Sequence, residues 1–527
     1  MDWFRGYLQK FSRTDTLHCD RKFHLPYLKS YFSVIVPKTV VIEEPYVDKD
    51  YIEDYSGYFS RCFHSYERFC SRLHFFSKEF DEEFFFETVL KCRSNPESKE
   101  SLGQYFGFIV VKPLPFTFFG KSCLIPYSNQ NGRNYPTLRE YSVDIFGLQL
   151  KINSLAYQEQ DSVIGACATK SMWVCFQKTS VEYGHYAPSS YEISQQATKT
   201  IAPGTRQYPT LGLKVEEVIN SIKENGLAPF VVEPKSMSDD ERNAWGPFGL
   251  MSHVYAYLKA GLPIILAVFR YKDKPVLSDK PSEYHAITLV GYKEKGFEYK
   301  EKGTEHINLV SSAIGELYCH DDQIGPFASI NQSCCKDYFV LECDTDKGLK
   351  KMYFKPDTII IPIYHKIRIP FSIIYSKIKH FQQLLLDLRN LCPDRDDCEE
   401  NDSFNYTWDI YLSSVSEYRD MIINSRQLSK ERKKQLISEN CPKYLWIATA
   451  YSNCECNFSI VFDATDFDHG NCLLKVIDFS CDDFVCIKEI IYKGFTREWM
   501  ETKLNPPAIG IVRYIYDKED CSKQYLN

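Results

Sequence analysis

Gln160-Asp161-Ser162-Val163-Ile164-Gly165-Ala166-Cys167-Ala168-Thr169-Lys170-Ser171-Met172-Trp173 is a polar loop that runs through a glycine into a helix beginning at a cysteine. The first backbone N–H groups of a helix lack internal partners, and the helix dipole favours negative charge at that end. Both effects favour a thiolate, the nucleophilic form of cysteine. A glutamine a few residues upstream, Gln160 or Gln158, has an amide that could donate to the oxyanion of a tetrahedral intermediate. The competing reading is a buried structural cysteine at a helix start.

Two stretches further on supply what a nucleophilic cysteine needs. His285-Ala286-Ile287-Thr288-Leu289-Val290-Gly291-Tyr292 is an apolar strand opened by a histidine, after the polar loop 272–283. His253, on an expected helix, and His306, at a strand start, are weaker candidates by position. Tyr318-Cys319-His320-Asp321-Asp322-Gln323-Ile324-Gly325-Pro326 is a strand that ends at two carboxylates and then turns. A base histidine needs a third group to fix its tautomer and stabilise its imidazolium. Asp321 or Asp322 can be that group, although two aspartates before a Gly-Pro are also ordinary turn chemistry. The order is helix-initial Cys167, strand-initial His285, then a carboxylate ending the next long strand.

Five segments in this order resemble papain-like cysteine peptidases, in particular bacterial double-glycine leader peptidases and their relatives. ACATKSMW resembles their nucleophile helix, YEISQQATKTI their second helix and GLKVEEVINSIKENGL their third. YLKAGLPIILAVFRY is similar to the helix, Gly-x-Pro and strand that precede the catalytic histidine, and HAITLVGY to the strand that carries it. The resemblance implies an α+β chain. A papain-like domain over 156–343, with helices packed on an antiparallel sheet, is flanked by mixed α/β regions over 1–155 and 344–527. It implies Cys167 as nucleophile, His285 as base, Asp322 or Asp321 as orienting carboxylate, and Gln160 or Gln158 with the Cys167 N–H as oxyanion donors. A gapless match of Asp322-Gln323-Ile324-Gly325 to the family's Asn-Ser-Trp-Gly favours Asp322. A strand ending one residue earlier selects Asp321, because successive side chains on a strand point to opposite faces. The expected activity is cleavage of peptide or isopeptide bonds through a thioester. Transglutaminase-like amide transfer or deamidation, and an inactive papain-like binding scaffold, are the alternatives. Absence of transporter segments argues against a leader-peptide exporter.

Composition narrows the remaining classes. The 527 residues carry a net charge of −7, with 44% hydrophobic and 25% charged residues, as in ordinary soluble domains. No basic stripe of the kind nucleic acid requires is present, and the run KERKK at 430–434 reads as a solvated helix face. No apolar run reaches the roughly 18 residues that span a bilayer, and MDWFRGYLQKFSR lacks a signal core. The expected setting is therefore the cytoplasm, and the resemblance implies a bacterial one. A protein or peptide substrate is expected, with neither nucleic acid nor membrane as partner. The 20 cysteines are then expected as reduced thiols, many of them small buried hydrophobes. Cys454, Cys456, His469 and Cys472 fit no zinc ribbon or finger spacing, and no metal or cofactor is expected.

Periodicity supplies the rest. Helices are expected over 51–90 (one or two), 167–177, 191–200, 214–225 (capped by Gly226), 252–260 and 371–391. Strands are expected over 106–111, 264–270, 285–292, 307–311, 315–320, 358–364, 444–451 and 458–462. Residues 94–101, 126–137 and 393–402 read as loops.

Overall fold

The apolar runs on either side of loop 272–283 pair as antiparallel neighbours, Ile264–Tyr271 with Glu283–Glu294, in a computed structural model of the chain. The structure describes residues 2–161, 163–199, 212–233, 247–273, 281–294, 307–332, 339–345, 348–391, 404–452, 455–467, 472–479, 482–494 and 506–524. The loop 393–402, His306, Cys454 and His469 lie outside the described residues. Helices alternate with mostly antiparallel sheets, so the chain is α+β. It divides into two compact units, each made of non-contiguous segments.

The first unit comprises Met1–Pro247, Gly261–Glu294 and Gly315–Tyr364. Its larger sheet runs in the order Ile314–Asp321, Gly325–Gln332, Phe339–Thr345, Gly348–Tyr364, Ile264–Tyr271, Glu283–Glu294. The last strand pairs again with the first, so these strands close into a ring, with Leu227–Val232 and Arg133–Asn134 added outside it. Helix Cys167–Tyr183 lies against the strands Ile264–Tyr271 and Glu283–Glu294, packing Met172, Trp173 and Phe176 with Ile265 and Val290. Residues 168–177 of this helix are all buried, which is why its sequence shows no polar face. On its other flank, Trp173 Nε1 donates to Asp50 at 3.0 Å, and Lys121 lies 3.4 Å from the same carboxylate.

A four-stranded antiparallel sheet, Thr39–Tyr46, Cys70–Phe76, Tyr105–Val111 and Phe119–Leu124, supports the loop before Cys167. Phe4, Leu8, Leu28 and Tyr31 from the first helices cover one face of it. Segment 51–90, expected to be helical, contains the buried strand Cys70–Phe76 between helices Lys49–Gly57 and Glu82–Cys92. Arg72 and His74 disguise that strand. They are buried because Arg72 pairs with Glu43 and His74 bonds the Tyr105 hydroxyl at 2.8 Å. Helices Ser190–Thr198 and Val215–Glu224 form as expected, and Gly226 takes the left-handed conformation (φ 75°) just past the second.

The second unit comprises Phe248–Ala260, Lys295–Ile314 and His365–Asn527. Its five-stranded sheet has the order Asn308–Leu309, Thr407–Ser414, Tyr444–Ser452, Glu455–Asp463, Leu473–Asp478. The expected strand 307–311 is reduced to Asn308–Leu309, and Val310–Ala313 turns as a 3₁₀ helix. Helix Phe371–Leu391 has its expected bounds, and the KERKK run lies on helix Lys430–Ser438, where only Leu436 is buried. Among the described residues, no helix is long and apolar enough to cross a membrane.

Candidate active site

Asp161 fixes the path of the chain into Cys167. Its Oδ1 accepts the backbone N–H groups of Val163, Ile164 and Gly165, at 2.9 Å from the first and 3.1 Å from the last. Lys170, one turn into the helix and almost fully buried, holds the loop from beneath. Its Nζ reaches Gln158 Oε1 at 3.0 Å, Ser190 Oγ at 2.7 Å and Asp161 Oδ2 at 3.5 Å. Gly165 makes this approach feasible, since a Cβ there would stand 2.6 Å from Lys170 Cε. The loop is also sewn to strand Phe119–Leu124: Ser122 and Tyr157 exchange both backbone bonds at 2.8 Å, and Glu159 Oε2 accepts the Phe119 N–H at 2.9 Å. Ala166 caps the helix without a side-chain bond, so the N–H groups of the first turn, Cys167 included, have no helical partner. Cys167 is partly exposed.

His285 faces this helix from the ring. It is buried, and its Nε2 lies 3.2 Å from Asp321 Oδ1 and 3.7 Å from Asp322 Oδ1. Only the first is a hydrogen-bond distance. Burial works to discharge the ring, but the charge and hydrogen bond of Asp321, the Cys167 thiol as a hydrogen-bonding neighbour, and the Asp322 charge raise its pKa well above the usual value. Burial also opposes ionisation of Asp321, yet His285, the Gln323 N–H (3.0 Å) and Arg270 hold it below the usual carboxylate range. Burial, opposed by His285 and reinforced by Asp321, pushes Asp322 up to about 7.

Strand Ile314–Asp321 ends at Asp321, so the carboxylate bonded to His285 is the one selected by the earlier strand end, not the Asp322 favoured by gapless matching. Among the described residues, the Asp322 carboxylate has no hydrogen-bond partner on either oxygen, and Asp321 has none on Oδ2. Gln160 and Asp322 line one cavity of about 280 Å³ with Gln323, His24 and Lys22. Gln158 stays beneath the loop, its carbonyl occupied by Lys170 and Ser190, and its Nε2 is buried without a partner.

The structure thus brings together Cys167, His285, Asp321 and Asp322, with Gln160 on the cavity beside Asp322. It also adds groups that the sequence reading passed over. His24 Nε2 lies 3.1 Å from the Asp322 carbonyl and 2.7 Å from the Tyr157 hydroxyl. A carbonyl only accepts, so His24 carries its hydrogen on Nε2. Burial holds it neutral, with its pKa pulled down to about 4. His320 is likewise structural, bonded to the Leu155 carbonyl and the Phe327 N–H, and burial pulls it down to about 4. The pKa of His285, by contrast with these two, moves upward. His253 bonds the carbonyl of Gly249 within its own helix. Among the described residues, His285, Asp321 and Asp322 form a group with the donor types of a metal site. Compared with known proteins, the chain matches no family model, no curated protein and no solved structure.

Proposed function

We propose that the first unit is a papain-like thiol hydrolase that cleaves peptide or isopeptide bonds. The observation that carries this reading is a helix-initial, partly exposed cysteine beside a buried histidine, which a strand-end carboxylate holds through its Nε2. With Nε2 held by Asp321, Nδ1 is the nitrogen left to exchange a proton with the thiol. The closed antiparallel ring with a buried helix laid against it supports the same reading.

In this mechanism Cys167 Sγ attacks the substrate carbonyl and His285 takes the thiol proton. The oxyanion accepts hydrogen bonds from the Cys167 N–H and the Gln160 amide. The imidazolium returns its proton to the leaving amine as the C–N bond breaks, leaving a thioester on Cys167. His285 then removes a proton from water, which attacks the thioester, releases the acid and restores the thiol. Asp321 positions His285 and stabilises its imidazolium.

The test is incubation of the full chain with a diverse peptide mixture and mass spectrometry of new termini, with Cys167→Ala in parallel. Cleavage that disappears in the variant, and an acyl adduct on Cys167 in the parent protein, are expected. Mass shifts corresponding to amide transfer or deamidation in place of new termini would redirect the assignment. No Cys167-dependent product and no adduct with a peptidyl thiol-reactive probe would leave a binding scaffold.

A further inference from the structure

The side of His285 held by the carboxylates has a property that orientation of the ring does not require. A single Asp321 bond to Nε2 suffices to orient the imidazole, yet a second buried carboxylate, Asp322, stands 3.7 Å from the same nitrogen with neither oxygen hydrogen-bonded. A distance of 3.7 Å is too long for a hydrogen bond. It suits two ligands of one ion: bonds of about 2.0–2.2 Å in a tetrahedron put neighbouring ligand atoms about 3.3–3.6 Å apart. The two edges from His285 Nε2 are 3.2 and 3.7 Å, and all three ligand atoms lie within 4.8 Å of one another. A small rotation of Asp322 draws them together without breaking any hydrogen bond of its carboxylate. Of the three ligands, Asp322 also lines a cavity of about 280 Å³ with Gln160, Gln323 and His24, which can hold water.

From this geometry we infer that His285, Asp321 and Asp322 bind a divalent cation of the zinc type, and that the ion switches off Cys167. Two buried carboxylates and an imidazole form a nitrogen–oxygen ligand set that suits zinc. The ion takes the Nε2 lone pair, so the proton there is released and the ring keeps only Nδ1–H. Such a ring cannot accept the thiol proton, and its N–H is that of a neutral imidazole, a far weaker acid than imidazolium. Thiol activation and protonation of the leaving amine therefore both stop. This inhibitory consequence rests on the thiol-hydrolase reading; the binding of the ion does not.

Cobalt(II) is the probe, because its spectrum reports its ligands. The reduced, chelator-free full chain is titrated alongside Cys167→Ala, Asp322→Asn and His285→Ala, each first checked for cooperative melting. One equivalent should give a weak visible absorption that persists in Cys167→Ala and disappears in both other variants. The difference spectrum against Asp322→Asn should lack the intense near-ultraviolet band of thiolate-bound cobalt, which other cysteines of the chain can contribute to both proteins. Zinc should displace this cobalt and lower peptide turnover at least tenfold, and a chelator should restore it. A featureless difference spectrum, or a thiolate band lost in Cys167→Ala, overturns the site. Zinc binding with unchanged turnover overturns the switch. A protein that hydrolyses nothing counts against the hydrolase reading, and the cobalt titration still decides the ion.

Discussion

Asp409 in the second unit and Asp322 in the first are both buried aspartates near a sheet, and they are treated in opposite ways. Asp409 Oδ1 accepts the Tyr255 hydroxyl at 3.0 Å, and its Oδ2 pairs with Lys259 at 2.5 Å. Asp322 has no hydrogen-bond partner on either oxygen among the described residues. The glutamines repeat the contrast. Gln382 donates to the Phe404 carbonyl and accepts from Trp408 Nε1 at 2.9 Å, whereas the Gln160 carbonyl oxygen is buried with no partner. Unsatisfied buried polar groups cost roughly 1–3 kcal/mol each. Satisfied polar groups mark a region organised for stability. The orphaned ones at Asp322, beside His285, and at Gln160, on the same cavity as Asp322, mark a region organised to meet something else.

The widest separation between the two regions should come from Asp321→Asn. Losing the carboxylate that fixes the His285 tautomer should lower kcat by about 10²–10⁴-fold in steady-state assays. Asp409→Asn should leave kcat of the folded protein alone, and equal losses in the two variants would erase the distinction. Asp409→Ala should instead cost stability, on the order of 3 kcal/mol by chemical denaturation, because it leaves Lys259 partly buried without its carboxylate.

Thiol chemistry should sharpen the comparison next. Burial pushes Cys123 up to about 12 and Cys175 higher still. Sub-stoichiometric iodoacetamide at slightly acidic pH should therefore mark Cys167 at least tenfold ahead of these two by peptide mapping. His285→Ala should lower labelling of Cys167 to that of partly exposed cysteines such as Cys62 and Cys441. Even labelling of partly exposed cysteines such as Cys62 and Cys441, unchanged by that substitution, would favour a scaffold.

A smaller effect follows from the two carboxylates. The folded-state pKa of Asp322 lies near 7, above its unfolded value, so the folded state binds the extra proton between about pH 4 and 7. Stability from this group falls as pH rises across that window, and the cost is complete above it. Asp322→Asn should match the parent near pH 4 and melt a few degrees higher at pH 8. Asp321 has the opposite sign. Its lowered pKa contributes stability above the unfolded value, lost as pH falls through the folded one, so Asp321→Asn should melt lower at neutral pH. Smallest of all, Lys434→Ala on the exposed KERKK helix should change stability by less than about 0.5 kcal/mol.

The side chains of the candidate site were legible because each sits where one local pattern breaks into another: Cys167 at a loop-to-helix change, His285 at the start of an apolar run, Asp321 at the end of one. Their supports were not. Lys170 reads as a solvent-facing helix residue, and only three partners from separate segments make its burial tolerable. Strand Cys70–Phe76 was lost for the same reason, since Arg72 and His74 are satisfied by residues far away in sequence. The choice between Asp321 and Asp322 turned on where a strand stops, which pairing with Gly325 decides and local composition does not.

The bond from His24 to the Asp322 carbonyl joins residues 298 positions apart. At about 5–20 residues per second of synthesis, roughly fifteen seconds to a minute separate the appearance of these two partners. Cys167 emerges well before His285, and His285 before the carboxylates that hold it. During synthesis the chain therefore carries an ordinary thiol, and the complete group of side chains can come into being only after the strand Ile314–Asp321 has been made.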